Sequence, residues 1–471
     1  MTDFRAAWLE ARDRRTEDQV AWLANFEVEQ QWKEPHHLAL PGLSSQVPYH
    51  HALSEMALLL AEPQDLVFLH QEPDVDFLAY LSSFGWRPPT MIAIHSGTES
   101  PNHRAEGFHH LLTDQLIQQW QASSSRASMQ QRFQDWAHSG SRPGSLMVHG
   151  TSQLEEQLSR MLNLNMLSSS SDVVRAVNSK IFSRDRCLKH GIAQTEGRSV
   201  HHLSELEEAF RHLKPALVHH PLVLKDAYGV SGKGLFLIED EPRFRQLQSK
   251  LMKQAERIGS DRMEMVLEVW VNKLKDLNVQ FMVYPDGQTS PPIIQEALVV
   301  NGAHAGHVSA PHLSPLMHQQ LEAAVRLLGV ELADEGYVGP VGLDALMTID
   351  NQLYPCIELN ARFNMSTYHN RVRQKWMPAD TICMTTACSF RRHKPVSFKQ
   401  MKQLLGPLLL TPSSASGLLI VSFASVNSIY SRDEKQTRGK LYGVIAGNNR
   451  KHCEQIQQQV QNRLDALEAN I

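Results

Sequence analysis

The segment from Gly339 to Arg362 reads GPVGLDALMTIDNQLYPCIELNAR, with two apolar runs on either side of a polar DNQ triplet. The triplet has the composition of a hairpin turn, so we expect the two runs to pair as antiparallel strands. If the turn centres on Asn351, Asp344 lies directly opposite Glu358, and Asn360 shares the face of Glu358 because side chains alternate along a strand. Two carboxylates that face each other in an apolar sheet repel unless a cation lies between them.

Oxygen ligands of this kind select hard cations such as Mg²⁺, with Mn²⁺ as an alternative. The segment therefore predicts a metal site formed by Asp344, Glu358 and Asn360. Two alternatives remain open at this point. A shift of one residue in the register would separate the three side chains, and one of the carboxylates could face solvent.

A second segment, Leu222 to Ile238, reads LVLKDAYGVSGKGLFLI and has the form of strand, glycine-rich turn and strand. Glycines let the backbone come close to a ligand and direct N–H groups at it, and Lys225 and Lys233 add positive charge suited to phosphate oxygens. The pattern differs from a Walker A loop because Gly234 follows Lys233, where a magnesium-binding Ser or Thr would be required. An ordinary β-turn is the alternative.

A third segment, MVLEVWV from Met265 to Val271, predicts a strand, and a second strand follows at Leu277–Tyr284. Backbone N–H and C=O groups of an apolar strand can line an adenine pocket, and an acidic residue just beyond it can bind ribose hydroxyls. Taken alone, this pattern is the same as that of any hairpin.

Length and composition limit the classes of protein that remain. The chain has 471 residues, which predicts about three domains. Hydrophobic residues make up 42% and charged residues 20%, so wholesale disorder and fibrous structure are excluded. The net charge of −4 gives no reason to expect a dedicated nucleic-acid or anionic-membrane binder. Since neither a signal peptide nor an apolar run of membrane-spanning length is present, we expect a soluble, cytoplasmic protein.

Cysteine and histidine do not indicate a metal centre. The five cysteines form no C-x-x-C pair and are expected to be free thiols. Several of the 24 histidines occur as adjacent pairs. Adjacent side chains point in different directions on a helix or a strand, so we expect no histidine metal site.

Residues 1 to about 35 carry apolar residues at helical spacing and predict one or two amphipathic helices. From Leu38 to about Leu167, short apolar runs alternate with helical stretches, which predicts a small α/β domain. Toward the end of the chain, two strands and a helix from about Arg450 to Leu467 are predicted, with Asn448 or Asn449 as the helix cap. The expected division is an N-terminal α/β domain at 1–171, a nucleotide-binding core at 172–377 and a C-terminal subdomain at 378–471.

Taken in order, these segments resemble the ATP-grasp superfamily, in the carboxylate–amine ligase style of D-alanine–D-alanine ligase and biotin carboxylase. The similarity runs from about Asn178 to Arg371 and begins at Asn178-Ser-Lys180, which resembles the family's opening lysine and is followed by Gly191-Ile192. The joint order and spacing of the motifs carry the resemblance. It implies an α/β (α+β) ATP-grasp fold with an N-terminal α/β domain and a small C-terminal subdomain.

The resemblance also implies roles for residues. ATP would be bound by Lys180, Lys225, Gly229, Ser231, Gly232, Lys233, Gly234, Glu268, Val269, Trp270, Val271 and Asp276. Asp344, Glu358 and Asn360 resemble the magnesium ligands. The catalytic candidates are Arg362, Lys225 and Lys233, with Arg362 holding the carboxylate or acyl phosphate by a two-pronged contact. An ordinary structural ion pair is the alternative for Arg362.

Two departures from the family pattern concern the substrate side. Some members place an arginine at the position of Gly342, and many have glycines where this chain has Phe363 to His369. The stretch from Gln295 to His307 is interpreted as a polar loop facing the substrate, with a glycine-rich surface loop as the alternative. The substrate-binding candidates are His304, His307, Arg362, Tyr368 and Arg371.

The reaction implied is transfer of the γ-phosphoryl group of ATP to a small carboxylate, followed by attack of an amine on the acyl phosphate. The products are an amide, ADP and phosphate. The expected partners are small-molecule carboxylate and amine substrates, with a homodimer as a further expectation. The alternatives are a carboxylate–thiol ligase or kinase on the same fold, or a non-catalytic ATP-binding regulatory protein.

Overall fold

The computed structural model describes residues 4–41, 50–95, 111–122, 126–229, 234–300, 303–309, 311–378, 380–428 and 437–469. The strands are β1 Val20–Leu23, β2 Leu66–Gln71, β3 Thr90–His95, β4 Ser145–Val148, β5 Asn165–Met166, β6 Gly197–His202, β7 Leu222–Asp226, β8 Leu235–Ile238, β9 Arg262–Val269, β10 Lys273–Val283, β11 Ile293–Val300, β12 Ala303–Ser309, β13 Gly339–Thr348, β14 Leu353–Asn360, β15 Ile382–Arg392, β16 Gly417–Ser422 and β17 Thr437–Gly447.

The α-helices are α1 Phe4–Ala11, α2 Val75–Ser83, α3 Leu112–Gln121, α4 Arg126–Ser139, α5 Gln153–Leu162, α6 Ser171–Val177, α7 Lys180–Lys189, α8 Leu203–Leu213, α9 Glu241–Ile258, α10 Pro315–Asp334, α11 Met365–Trp376, α12 Phe398–Leu405 and α13 Arg450–Ala469. Short 3₁₀ helices lie at Val28–Gln31, His51–Leu59, Lys214–Val218, Gly406–Leu408 and Ala424–Val426.

The N-terminal sheet is parallel and has the order β3-β2-β1-β4-β5, which places β1 at its centre. The expected α/β pattern is thus confirmed, but the helical prediction for residues 1 to about 35 holds only for α1. It is wrong for Val20–Leu23, where all four residues are buried in a strand. A central parallel strand is covered on both faces, so it reads as a continuous apolar run without alternation.

A small antiparallel sheet of order β6-β9-β7-β8 carries the glycine-rich segment between β7 and β8. The two predicted strands and their antiparallel pairing are confirmed, and residues 230–233 between them lie outside the described residues. Helices α8 and α9 cover this sheet, with Phe210 stacked on Phe244 at a centroid distance of 3.7 Å. Asp240 caps α9 by accepting the N–H of Arg243 at 2.7 Å, and Gly259 ends the helix in the left-handed conformation.

The largest sheet is antiparallel, with the order β14-β13-β10-β11-β12-β15-β17-β16. Its two faces differ in chemistry because residues alternate along β10. Leu277, Val279 and Phe281 are buried in the apolar cluster that includes α10, whereas Asn278 and Gln280 lie on the opposite face. That polar face carries the candidate site.

The stretch from Gln295 to His307, interpreted from sequence as a loop, is instead a strand hairpin formed by β11 and β12, so the loop prediction is wrong. Gly306 has φ +145, and a Cβ placed there would be 2.1 Å from the carbonyl oxygen of Thr385. The glycine is therefore required by the close approach of β15 rather than by a loop.

The C-terminal strands β16 and β17 and the helix α13 form where they were predicted, and Asn449 caps α13 by accepting the N–H of His452 at 2.9 Å. These strands extend the large sheet, and their core is continuous with that of the N-terminal domain. The domain boundaries after residues 171 and 377 stay predictions. All five cysteines are buried free thiols. Within the described part of the chain, no helix combines the length and the apolarity that crossing a membrane requires.

Candidate active site

The hairpin of β13 and β14 places Asp344 directly opposite Glu358, as predicted from the sequence. The route to this register differs from the expected one. Thr348 bonds to Gln352 across the turn, so the turn centres on Asp350 and not on Asn351. A β-bulge between the turn and Asp344 then restores the predicted pairing.

Asp344 accepts hydrogen bonds from two amides, from Nδ2 of Asn278 at 2.9 Å and from Nδ2 of Asn360 at 3.1 Å. Burial raises the pKa of Asp344 to about 6, and the negative charge of Glu358 acts in the same direction. Two carboxylates in a buried position are costly unless a cation offsets them. The oxygen atoms of Asp344, Glu358 and Asn360 therefore fit a hard divalent cation such as Mg²⁺.

Lys180 connects this hairpin to the glycine-rich segment. It follows the cap residue Ser179 at the first position of α7, and its side chain is buried. Its Nζ atom donates to Oε1 of Glu358 at 2.9 Å and to the carbonyl oxygen of Gly229 at 2.7 Å. The predicted first lysine thus lies between the carboxylate pair and the start of the glycine-rich turn.

Lys225 forms an ion pair with Glu268 on the neighbouring strand β9. The other oxygen of Glu268 lies 3.4 Å from Nη1 of Arg184, a buried residue that also donates to the carbonyl oxygens of Thr195 and Gly197. The side chain of Glu268 is therefore engaged by two cations. Arg184 was not singled out in the sequence, where nothing distinguishes it from Arg186, the other arginine of α7.

Val269, Trp270 and Val271 follow Glu268 and are the residues predicted to contact adenine through their backbone groups. The N–H of Val269 donates to the carbonyl oxygen of Glu196, and that of Trp270 donates to the carbonyl oxygen of Pro221, both at 2.8 Å. Val271 follows beyond the end of β9. Asp276 lies on β10 on the same face as Asn278, and its side chain is paired with Lys273 at 2.6 Å.

The base of the glycine-rich turn is closed. The N–H of Asp226 donates to the carbonyl oxygen of Gly234 at 2.8 Å. Gly234 has φ +90, and a Cβ there would be 2.9 Å from Cα of Gly229, so this close approach requires glycine. The predicted phosphate-binding residues Ser231, Gly232 and Lys233 lie outside the described residues.

Arg362 reaches the carboxylate cluster through Asn360, whose Oδ1 accepts from Nη2 of Arg362 at 2.9 Å. The same guanidinium forms an ion pair with Glu29 from the 3₁₀ helix after β1. Burial raises the pKa of Glu29, while the charge of Arg362 acts in the opposite direction. Sequence reasoning missed Glu29, because it is distant in the chain and lies in a segment that was interpreted as helical.

The absence of a side chain at Gly342 has a steric reason. A Cβ there would lie 2.1 Å from Nδ2 of Asn364 and 2.7 Å from Nε2 of Gln280. Asn364 is held by its role as the cap of α11, where its side chain accepts from Thr367 N–H. The two departures from the family pattern, at position 342 and after Arg362, are therefore complementary in space.

The remaining substrate candidates are not brought into the carboxylate cluster. His307 is buried, contacts Ser366 Oγ at 3.1 Å and lies three strands from Asp344, or roughly 14 Å. The backbone of His304 lies in β12, and its side chain is outside the described residues.

Tyr368 is buried and its hydroxyl group is 3.0 Å from Nδ1 of His149, at the end of β4. Burial raises the pKa of Tyr368 and, together with the charge of Arg362, lowers that of His149. Arg371 donates to Glu62 at 2.6 Å. Both predicted residues thus join α11 to the N-terminal domain.

Comparisons with known proteins concern the family and the fold of the chain. Residues 184–369 match the family model described as "Carbamoyl-phosphate synthase L chain, ATP binding domain". A curated relative, the [butirosin acyl-carrier protein]–L-glutamate ligase of Niallia circulans, is 24% identical over 315 residues, or 67% of this chain. The chain spans 65% of the length of that ligase.

Two solved structures are similar in fold across most of the chain. Biotin carboxylase from Campylobacter jejuni has a TM-score of 0.54 at 13% identity, and covers 95% of this chain and 91% of its own. L-amino acid ligase from Bacillus licheniformis has a TM-score of 0.50 at 12% identity, covering 95% of this chain and 98% of its own. At such identities the likeness concerns the fold alone. The expected resemblance is confirmed: the chain has the ATP-grasp fold, and its residues 184–369 match the model of an ATP-binding domain.

Proposed function

We propose that this protein is an ATP-dependent, ADP-forming ligase that activates a small carboxylate as an acyl phosphate and couples it to an amine. The observation that carries the proposal is the cross-strand pair of Asp344 and Glu358, flanked by Asn360 and by the cations Lys180 and Arg362. Carboxylates and cations alternate over this small buried area. Such an arrangement is suited to neutralising a triphosphate while one phosphoryl group is transferred.

In the proposed complex, ATP lies between the small sheet and the polar face of the large sheet. The backbone of Val269 to Val271 faces the adenine. The N–H groups of Val269 and Trp270 already have protein acceptors, which favours the N–H of Val271 as the donor to the base. Asp276 would bind the ribose, while Lys180, Lys225, Lys233 and the backbone of the turn from Gly229 to Gly234 would surround the phosphates.

Mg²⁺, held by Asp344, Glu358 and Asn360, would supply charge neutralisation at the phosphates, and Mn²⁺ is the alternative. Asn360 would use the Oδ1 atom that accepts from Arg362. With a cation at Glu358, Lys180 would be available to a phosphate oxygen. Lys180 would therefore balance the charge of Glu358 before the metal binds and the charge of the phosphates afterwards.

The chemical steps follow from this arrangement. A carboxylate oxygen of the substrate attacks the γ-phosphorus, the bond to the bridging oxygen breaks and ADP leaves. A neutral amine then attacks the acyl carbon, inorganic phosphate leaves with the bonding electrons, and the amine loses one proton to give the amide. Arg362 would hold the carboxylate and its acyl phosphate through the two nitrogen atoms of its fork. His307, His304, Tyr368 and Arg371 stay candidates for the acceptor side.

The acceptor has a second candidate form. The related ligase from Niallia circulans acts, by its name, on an acyl-carrier protein with L-glutamate. This relationship favours L-glutamate as a first carboxylate to test and supports a thiol or amine on a carrier protein in place of a free amine. The same fold could also serve a kinase that stops at the acyl phosphate or a protein that only binds ATP. A homodimer stays a prediction.

The experiment is ADP release by the full chain with MgATP and a panel of amino acids, given singly and in pairs, with L-glutamate included. ADP release that requires two substrates supports ligation, whereas release with one carboxylate supports a kinase. If no member of the panel, with or without an acyl-carrier protein added, releases ADP although MgATP binds, the ligase proposal is wrong and the protein only binds nucleotide. Mass spectrometry of the product identifies the new amide or thioester.

A further inference from the structure

The opposite charges of Arg362 and Glu29 lie side by side next to the proposed metal ligands. The two side chains form an ion pair and are only 10% and 12% exposed. They come from different parts of the fold, because Arg362 follows the end of β14, whereas Glu29 lies in the 3₁₀ helix Val28–Gln31 after β1. The protein thus holds a cation and an anion together in a nearly buried position.

Glu29 is held in place by its neighbours in the chain. Val28 and Trp32 are both buried in the apolar core beneath the large sheet. Trp32 also donates from Nε1 to the carbonyl oxygen of Thr151 at 2.9 Å, which ties the segment to the chain after β4. The carboxylate of Glu29 is therefore kept at Arg362 by contacts on both sides of it.

Arg362 has donor capacity beyond this ion pair. Its Nη1 atom donates to the carbonyl oxygen of Phe363 at 3.1 Å, and Nη2 donates to Oδ1 of Asn360 at 2.9 Å. Its Nε atom is buried and has no hydrogen-bond partner among the described residues. A guanidinium group binds a carboxylate through two parallel N–H groups. With Oδ1 of Asn360 on the proposed metal, Nε and one N–H of Nη2 would be available to a substrate carboxylate while Glu29 stays in place.

The charges around Glu29 favour one class of carboxylate. Burial raises the pKa of Glu29, the charges of Arg362 and Lys180 lower it, and that of Glu358 raises it. In the proposed complex the metal takes Glu358 and the phosphates take Lys180, which leaves Arg362 as the cation beside Glu29. A simple monocarboxylate would then place two carboxylates on one guanidinium in a buried position, which is costly. An α-amino acid also brings an ammonium group, one carbon atom away from its carboxylate, and so restores neutrality.

We propose that the carboxylate substrate is an α-amino acid bound as its zwitterion, with its carboxylate on Arg362 and its ammonium group on Glu29. The inference rests on the proposed function, because that function supplies the activated carboxylate and the role of Arg362. An ammonium group has no free electron pair, so the amino group held by Glu29 cannot attack an acyl phosphate. The attacking amine then comes from a second molecule, and the product keeps the α-amino group of the activated substrate free.

The test measures ADP release by the full chain with MgATP and hydroxylamine, which replaces the unidentified amine and traps an acyl phosphate as a hydroxamate. The carboxylates are the standard L-α-amino acids except proline, each compared with the acid that lacks only the α-amino group, such as L-alanine with propionate. The variants are Glu29→Gln, which keeps the size of the side chain but loses its charge, and Glu29→Asp, which keeps the charge. The matched control is Glu34→Gln, from the same segment, whose carboxylate is 49% exposed and paired with Arg175.

In the wild type and in Glu34→Gln, we expect kcat/KM for the preferred amino acid to exceed that for its deamino counterpart by about 100-fold or more, because the deamino acid leaves Glu29 unpaired. In Glu29→Gln we expect this ratio to fall below about tenfold, through a higher KM for the amino acid and an unchanged or lower KM for the deamino acid. Glu29→Asp should keep a preference for the amino acid. Fragmentation in the mass spectrometer should place the hydroxamate on the α-carboxyl group.

If Glu29→Gln lowers kcat/KM for both acids by the same factor, Glu29 only holds Arg362 in place and the inference is overturned. A wild-type chain that uses deamino acids as well as amino acids would overturn it without any variant, as would a hydroxamate on a side-chain carboxyl group. These results leave the proposed function intact, because a carboxylate still releases ADP. If MgATP binds but no carboxylate releases ADP, with or without an acyl-carrier protein, the proposed function itself is wrong and the inference falls with it.

Discussion

The ammonium group of Lys180 lies 2.9 Å from Oε1 of Glu358 and 2.7 Å from the carbonyl oxygen of Gly229. The lysine proposed as the first of the nucleotide site therefore neutralises a proposed metal ligand. A divalent cation at Glu358 would take over that role and release Lys180 to the phosphates. The arrangement explains how buried carboxylates can be kept ready for a metal without an uncompensated charge.

We expect Glu358→Gln to lower ADP release by about 100-fold or more, the usual effect of removing a group that stabilises charge in the transition state. The side chain keeps its size but loses the charge that binds metal and Lys180. Coupled-enzyme measurement of ADP gives the rate, and thermal unfolding reports the fold. The matched control is Glu208→Gln, whose carboxylate is 67% exposed and paired with Arg198 at the surface. Near-wild-type activity in Glu358→Gln would show that the metal-site assignment is wrong.

Lys225→Ala should abolish ADP formation and weaken nucleotide binding at least about tenfold while the fold persists, because the change removes a charge-assisted phosphate contact. The measurements are calorimetry with the magnesium complex of β,γ-methylene-ATP and ADP release. Lys253→Ala, on the exposed side of α9, is the control and should behave as the wild type. Unchanged nucleotide affinity in Lys225→Ala would instead assign Lys225 only a structural role in its ion pair with Glu268.

Arg362→Lys tests whether substrate binding requires only the positive charge of Arg362 or also the planar shape of its guanidinium group. Lysine keeps the positive charge but cannot contact a carboxylate with two parallel hydrogen bonds. We expect KM for the carboxylate substrate to rise about tenfold or more, with nucleotide affinity within about twofold of the wild type. The exposed Arg245→Lys is the control, since Arg245 pairs with Glu207 and Glu241 away from the site. If the kinetics do not change, Arg362 is an ordinary structural partner of Glu29.

Gly342→Ala should destabilise the chain by about 1–2 kcal/mol, because the new Cβ displaces the side chain of Asn364 from its capping position on α11. Asn364→Ala alone should cost about 1 kcal/mol through loss of the cap. In the double variant the closest obstruction, the side chain of Asn364, is gone and only that of Gln280 remains, so the combined loss should be smaller than the sum of the single losses. Urea unfolding of the four chains measures this coupling, and strictly additive losses would contradict the steric explanation.

From the buried carboxyl group of Glu55 we expect the free energy of unfolding to depend on pH. This buried carboxylate accepts the N–H of Ala424 at 2.8 Å, and burial raises its pKa from 4.5 to about 7. Between pH 4.5 and about pH 7, the folded chain holds a proton on Glu55 that the unfolded chain has released. The free energy of unfolding therefore falls as pH rises through this range. Glu27, with a pKa raised by burial to about 7, acts in the same direction.

Glu55→Gln removes part of this dependence because the amide stays neutral at every pH. We expect the free energy of unfolding to fall less steeply than in the wild type between about pH 5 and about pH 7. Urea titrations over this range measure both slopes, and Glu208→Gln serves as the exposed control. Equal slopes for the wild type and Glu55→Gln would mean that Glu55 is ionised throughout the range.

Much of the candidate site could be predicted from local patterns. The apolar runs around the DNQ triplet placed Asp344 opposite Glu358, although the turn centre was wrong by one residue and a bulge restored the register. Alternation along a strand and turn chemistry act over a few residues, so they can be interpreted without the rest of the chain. The same holds for the paired strands β7 and β8 and for the capped helix α13.

Other features depended on neighbours that are distant in sequence. Val20–Leu23 became the central strand of a parallel sheet because both of its faces are covered, which its own pattern does not reveal. Gly306, which was interpreted as part of a loop, is required because β15 approaches its backbone closely.

The sequence by itself determined which residues are candidates for the chemistry and which strand face they share, since these follow from periodicity and residue type. Only the tertiary structure decided that Glu29 pairs with Arg362, that Asn364 occupies the space beside Gly342 and that Lys33 holds Asp226. The physical reason is that such contacts join segments far apart in the chain. Their existence depends on how whole sheets pack against one another, and no local pattern encodes that packing.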